Sequence, residues 1–322
     1  MNIKTKNEII EILKMPYNEF DKSIKSIAKN ISQNINIQTI ALLGYNNTCI
    51  NQCTYCGMRA DNINLKRYKL SPTEIKKIVK TVEKSNIKNI YFVSGEDPEY
   101  DFKDILSIIE YSKSLNLNVG LAIGERKLKD YNELKAAGLD EYMLKFETTN
   151  KTLFNNIKPN TNFKKRISCI QQIKKAGLRL ASGNIVGLPH QTIDDIANDI
   201  ILMNDLEISF APVIPYIPVS NTPLIIEAKK ENNKKNLELT IKEISLLRII
   251  IPKVNITAQQ PGEDFKNGLS DLNGNLNALK AGANVLLIDM LPQELIENFN
   301  IIDNRMIKGL NHINKLITLY NL

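Results

Sequence analysis

Three cysteines fall within eight residues, Cys49, Cys53 and Cys56, in the run Cys-Ile-Asn-Gln-Cys-Thr-Tyr-Cys-Gly. A CxxxCxxC spacing brings three thiolates to one centre. Besides these three, the chain holds one cysteine, Cys169, and two histidines, His190 and His312, none of them close by in sequence. Structural zinc asks for four protein ligands in a closed tetrahedron, and iron–sulfur clusters usually take four thiolates. Three ligands on a [4Fe–4S] cube leave one iron open to bind a substrate. The competing readings are a zinc knuckle and a redox CxxC, but the thioredoxin-like pattern that accompanies the latter is missing.

Other residues that could do chemistry cluster at the ends of apolar runs. These are Ser94-Gly95-Glu96-Asp97-Pro98, Gly124-Glu125-Arg126, Lys145-Phe146-Glu147, Gly183 to Gly187, Pro215-Tyr216, Gln259-Gln260 and Asp289. Each has a plain alternative. Glu96 could be a solvated loop carboxylate, Tyr55 a core residue and Arg166 a surface cation at a helix start. Cys169 reads as a small buried hydrophobe. His190 is near the expected mouth without being a ligand, and His312 is structural.

The elements that must position these groups alternate in kind. Helical spacing marks Lys6–Lys14 and Tyr17–Ser32. Strands are expected at Ile37–Leu43, Ile90–Val93, Asn118–Ile123, Glu141–Leu144, Leu180–Val186, Ser209–Ile214, Val254–Thr257 and Asn284–Ile288. A helix is expected to open at Ser71, and others at Asp104–Leu115, Leu128–Ala137, Phe163–Ala176, Ile193–Met203, Leu237–Arg248 and Leu272–Lys280, with a tail helix over Arg305–Tyr320. Ser71-Pro-Thr-Glu is a capping box with proline at the first helical position. Eight βα units imply an α/β fold, a complete (β/α)8 TIM-type barrel with chemistry at the carboxyl ends of its strands. The expected organisation is one domain over 1–322: an N-terminal helical extension 1–36, the barrel 37–290 and a C-terminal helical tail 291–322.

Composition bounds the rest. With 322 residues, 43% hydrophobic and 24% charged, the chain can bury a large core. It has neither a long apolar run nor a signal-peptide apolar region, and its few, unevenly placed cysteines do not form a secreted disulfide framework. A cytoplasmic location and no membrane partner are expected. The net charge of +7 is scattered. It suits a solvated surface or docking of an acidic electron donor, a flavodoxin or ferredoxin, and gives no nucleic-acid stripe.

The CxxxCxxC run with an aromatic before its last cysteine resembles the radical S-adenosylmethionine (SAM) superfamily. The resemblance implies a radical SAM enzyme: SAM on the open iron is reductively cleaved to methionine and a 5′-deoxyadenosyl radical. It implies SAM contacts from Tyr55, Gly95, Glu96, Glu147, Arg166 and Gly187. The segments from Cys56 to Tyr68, Ser94 to Pro98, Glu147-Thr, Val186 to Asp195, Thr222-Pro-Leu and Gly282-Ala-Asn are similar to the HydE family of [FeFe]-hydrogenase maturases. That family groups with biotin synthase and the methylornithine synthase PylB. The likeness implies assembly of the hydrogenase diiron cofactor, a small-molecule substrate and other maturases as partners. Substrate candidates are Arg126, Lys145, Tyr216 and Gln259. Departures fall on this side: Lys145 stands where the HydE pattern has arginine, Glu141 lies near a second such position, and Val93 and Ala122 replace polar residues. Gly120 and Ala181 cannot ligate a second cluster of the biotin-synthase kind. Lysine-mutase chemistry of the PylB type would need Glu141 or Asp289 for an ammonium, and a non-catalytic iron–sulfur or zinc protein is the third alternative.

Overall fold

A computed structural model describes residues 3, 5–228, 233–303, 305 and 309–321. Ten short strands run β1 (Gln38–Asn46), β2 (Asn89–Ser94), β3 (Asn118–Ala122), β4 (Glu141–Met143), β5 (Arg179–Ala181), β6 (Ile185–Val186), β7 (Phe210–Ala211), β8 (Ile214–Pro215), β9 (Asn255–Ile256) and β10 (Val285–Asp289). The helices are α1 (Lys6–Lys14), α2 (Tyr17–Lys22), α3 (Ile24–Ser32), α4 (Pro72–Lys84), α5 (Phe102–Ser114), α6 (Leu128–Ala136), α7 (Lys151–Ile157), α8 (Phe163–Lys175), α9 (Ile193–Asp205), α10 (Ile225–Ala228), α11 (Asn233–Ile250), α12 (Leu272–Lys280) and α13 (Leu310–Tyr320).

Eight strands pair in the order β10-β1-β2-β3-β4-β5-β7-β9, all parallel. Parallel neighbours need a crossover, and the intervening helices supply it. Thr257 bridges to Val285, and Ala258 N donates to Val285 O at 2.8 Å, so the outer strands meet and the barrel nearly closes. Arg248 of α11 fastens this seam. Fully buried, it donates to Gly282 O at 2.8 Å, Pro252 O at 2.6 Å and Asn284 Oδ1 at 2.9 Å.

Side chains alternate across each strand. Ala41, Leu43, Ile90, Phe92, Val119 and Leu121 belong to the large core, while Ile40, Tyr91, Ala181, Phe210 and Val285 form a separate buried cluster. A Cβ on Gly120 would lie 2.3 Å from the Tyr91 ring, so the missing side chain is what admits that ring. Gly120 and fully buried Ala181 offer no side-chain ligand here.

Four departures from the sequence reading have local causes. Ser23 (φ −110°, ψ −83°) breaks the expected helix 17–32 into α2 and α3. The chain leaves the main ladder after Ala181, where Ser182 Oγ donates to Leu144 O at 2.7 Å, and β6 pairs instead with β8 in a second two-stranded sheet. Pro212, lacking an N–H, ends β7. The tail helix starts at Leu310, not Arg305; Arg305 is non-helical, and residues 304 and 306–308 of that expectation lie outside the described ones. Among the described residues no helix is long and apolar enough to cross a membrane.

Candidate active site

The cysteine loop follows β1 and is pinned from several sides. Arg67 donates to Asn47 O at 2.6 Å, Met58 O at 2.9 Å and Arg59 O at 2.7 Å, tying both ends of the loop together. Thr54 N donates to Ile157 O at 2.9 Å, and Gln52 N to Asn160 Oδ1 at 2.9 Å. The loop is thereby zipped to the end of α7. The Cys49 sulfur faces the amide N–H groups of Asn51 (3.5 Å) and Glu96 (3.4 Å).

All three cysteines line one cavity of about 350 Å³, together with Tyr55, Gly95, Glu96, Lys145, Glu147, Arg166, Tyr216 and Gln259. Of the expected site residues, Arg126 and Gly187 fall outside this lining. Arg126 lies over the Phe102 ring at 5.9 Å, and Gly187 N donates to Gln191 Oε1 at 2.7 Å. Burial pushes the Cys49 thiol up and the Cys56 thiol to about 12, so ligation must expel protons. Among the described residues no three His, Cys, Asp or Glu side chains are placed to hold a single metal ion. Three sulfurs around one chamber suit a cubane, which three thiolates hold with one iron left open, better than the closed four-ligand tetrahedron of structural zinc.

On the next strands stand the residues expected to hold SAM. Gly95 N donates to Asn46 O at 3.0 Å, and Ile50 N to Glu96 O at 2.9 Å, so β2 and the cysteine loop share hydrogen bonds. The Glu96 carboxylate accepts from Asn51 Nδ2 (3.0 Å) and Glu125 N (3.2 Å). Glu147 is buried in the left-handed region at φ 62°, a conformation costing about 1–3 kcal/mol for a residue with a side chain. Its N–H donates to Gly183 O at 3.1 Å and its carbonyl accepts from Ile185 N at 2.9 Å, which hold it there. Its carboxylate takes the Tyr55 hydroxyl at 2.9 Å and lies 3.7 Å from Lys145 Nζ.

Arg166, 4% exposed, donates through Nε to Glu125 at 2.9 Å and through Nη1 to Lys145 O at 2.5 Å, and lies on the Phe154 ring. Glu125 also accepts from Thr161 and pairs with Lys165 at 3.0 Å. The Arg166 charge holds the Glu125 carboxyl below its ordinary range against the opposing effect of burial. Removing either partner of such a buried pair costs about 3–5 kcal/mol, so Arg166 is first a structural residue that also reaches the chamber.

The substrate side is sparser in protein partners. Tyr216 Oη, Gln259 Oε1 and Arg305 Nε and Nη1 are buried, belong to residues lining the chamber and have no hydrogen-bond partner among the described residues. Arg305 escaped the sequence reading, which placed it in a helix. Its Nη2 donates to Asp289 at the end of β10, which consumes the carboxylate expected to be available for an ammonium. Glu141, the other such candidate, sits at the opposite end of the barrel. There it accepts from Tyr91 and from Ser209 Oγ at 2.5 Å, with Arg179 at 3.8 Å, in a second, polar cavity of about 210 Å³. Cys169 is buried away from the chamber with its sulfur 3.8 Å from Arg126 O. His190 is exposed and lies 3.0 Å from Glu227, and His312 lies 3.2 Å from Asn275 Oδ1.

Behind Lys145 lies a buried acidic pair. Asp199 accepts from Thr149 N (2.6 Å), Thr149 Oγ1 (2.7 Å) and Asn184 Nδ2 (3.0 Å), and Glu243 Oε2 accepts from the same Asn184 amide at 3.2 Å. Burial lifts the Asp199 carboxyl from 3.8 to about 7, and raises Glu243 as well with Asp199 beside it. Between those two values the folded state keeps a proton that the unfolded chain releases. Stability contributed by this group is therefore present below pH 3.8 and lost as pH rises to about 7. Urea midpoints measured across that window are expected to fall less with rising pH in Asp199→Asn than in the wild type; an identical slope would contradict this assignment.

Comparison with known proteins agrees with the geometry. The sequence profile of the Radical SAM superfamily matches residues 43–203. The chain is 32% identical over 291 residues to the [FeFe] hydrogenase maturase subunit HydE of Thermotoga maritima, covering 89% of this chain and 81% of that one. It is 28% identical to a biotin synthase of Ehrlichia chaffeensis, over 86% of this chain and 84% of the relative. In fold it is similar to the crystal structure of methylornithine synthase (PylB), with TM-score 0.83 and 21% identity over 98% of this chain and 92% of that one. Three thiols at the mouth of a parallel barrel, and a relative matched over most of its length, lead to one conclusion: the chain belongs to the radical SAM superfamily of enzymes, which use a [4Fe–4S] cluster and SAM.

Proposed function

We propose that this enzyme is a HydE-type maturase, acting on a small molecule in assembly of the [FeFe]-hydrogenase diiron cofactor. Cys49, Cys53 and Cys56 hold the cluster; when bound, it supplies the electron that splits SAM to the 5′-deoxyadenosyl radical. Gly95 and Glu96 receive the methionyl end of SAM, with Glu147 and Arg166 on the side of β4 and α8. The observation that carries the reading is that the chamber holding the three cysteines is also lined by the polar side chains Tyr216, Gln259 and Arg305. A few polar groups in an otherwise apolar chamber orient a small polar substrate. The identity to HydE of Thermotoga maritima supports the maturase assignment. A lysine mutase fits less well: Asp289 is engaged by Arg305, and Glu141 lines the other cavity. An external reductant must reach the cluster, and a basic surface suits an acidic donor protein.

The test is anaerobic reconstitution, reduction and measurement of 5′-deoxyadenosine with two additives, a cysteine-bound iron carbonyl cyanide species and L-lysine. Stimulation by the iron species alone is expected. Stimulation by lysine alone would replace the maturase reading with the mutase one, and no response to either would remove both.

A further inference from the structure

Lys158 has no role in the account so far, and its surroundings demand one. It is the residue after α7, 8% exposed, with Nζ 3.2 Å from Cys53 Sγ and 3.3 Å from the Tyr55 hydroxyl. The ammonium also lies 5.6 Å from the centre of the Tyr55 ring. These polar partners are a thiol and a phenol, not a carboxylate. A buried cation is costly to hold, and the Glu147 carboxylate reaches this one only through the Tyr55 hydroxyl, so the position calls for a further negative charge. The nearest group able to carry one is the Cys53 thiolate. The placement is built rather than incidental: Thr54 N to Ile157 O holds the cysteine loop against the residue preceding Lys158, and Tyr55 is held in turn by Glu147 at 2.9 Å.

We propose that Lys158 is a positioning residue that donates a charged hydrogen bond to the cluster through Cys53 and raises its reduction potential. Hydrogen bonds to the sulfurs and net charge set the potentials of such clusters, and a cation favours the reduced, more negative form. Lys158 thus eases reduction of the cluster by its external donor, and its loss makes the same cluster harder to reduce. The inference rests on Cys53 ligating the cluster and is independent of which substrate the radical attacks.

Wild-type, Lys158→Met and Lys158→Arg proteins are reconstituted anaerobically, matched for iron and sulfide, and poised with mediators in the absence of SAM. Reduced cluster is counted by EPR. At the wild-type midpoint, the ratio of reduced to oxidised cluster is expected to fall about tenfold in Lys158→Met, the equivalent of about 59 mV for one electron, and to recover largely in Lys158→Arg. An unchanged ratio overturns the proposal, as does weakened SAM binding at unchanged potential, which would make Lys158 a SAM ligand instead. If Lys158→Met takes up no iron, Lys158→Gln, which keeps an N–H donor, is titrated in its place. Absence of cluster from both would mark an assembly residue and also overturn it. Absence of any cluster from the wild type would instead strike the assignment of the three cysteines.

Discussion

Cys53→Ala is expected to lose the iron–sulfur absorbance and to lower 5′-deoxyadenosine formation by at least about three orders of magnitude. Cys49, Cys53 and Cys56 are the cysteines of the chamber lining, and Cys169 is buried outside it, so no spare thiol takes over. Alanine is the informative replacement, because a serine oxygen could still ligate iron. The fold should survive, since the loop is held by Arg67 and by Thr54 and Gln52 rather than by the sulfur. Far-UV circular dichroism checks that point, while iron content and product formation check the loss. A Cys53→Ala protein with a full complement of iron and wild-type turnover would remove the central claim about this site.

Gly95→Ala is expected to act nearly as strongly, without touching a ligand. A Cβ at Gly95 would stand 2.1 Å from Thr48 O and 2.7 Å from Cys49 Cβ. Both contacts are shorter than any such atoms adopt, and both belong to the cysteine loop, so the loop itself must yield. Its displacement also breaks the Ile50–Glu96 backbone hydrogen bond and moves the Glu96 amide from Cys49. Misplacement by about 1 Å can cost about a hundredfold in rate, and that is the loss expected here, accompanied by lower iron occupancy. Gly309→Ala is the matched control, because among the described residues nothing lies within 4 Å of the added carbon there. Equal iron content and rate in Gly95→Ala and Gly309→Ala would contradict this account.

The barrel was readable because strands and helices of crossover length alternate, and that rhythm survives errors at element ends. Chain-local signals located the N-terminus of α4, where Ser71 and Glu74 form the expected capping box. What escaped was set by distant partners. The seven residues of α7 are few for a periodic signal, yet they carry Lys158 to the cysteine loop. Glu125 is legible as a polar residue at a strand end, but the convergence of Arg166, Lys165 and Thr161 on it is set by the fold. Arg305 looked helical from its neighbours; its pairing with Asp289 joins positions that only the closed barrel brings together. Asp289 was correctly placed at a strand end, but its side chain was already engaged, and sequence carries no record of such pairing.

The strand bearing the cysteine loop, β1, hydrogen-bonds to β2 on one flank and to β10 on the other. The first neighbour is close in sequence and the second is far from it. Contacts of such wide sequence separation form late, since their loop-closure entropy must be met first. Phe299, whose ring fills the space beside Gly44, arrives later still. Until those later segments are in place, the strand that bears the cysteine loop lacks its β10 flank and the ring beside Gly44. The order of residues along the chain thus makes one flank of the cysteine loop an early contact and the other a late one in folding.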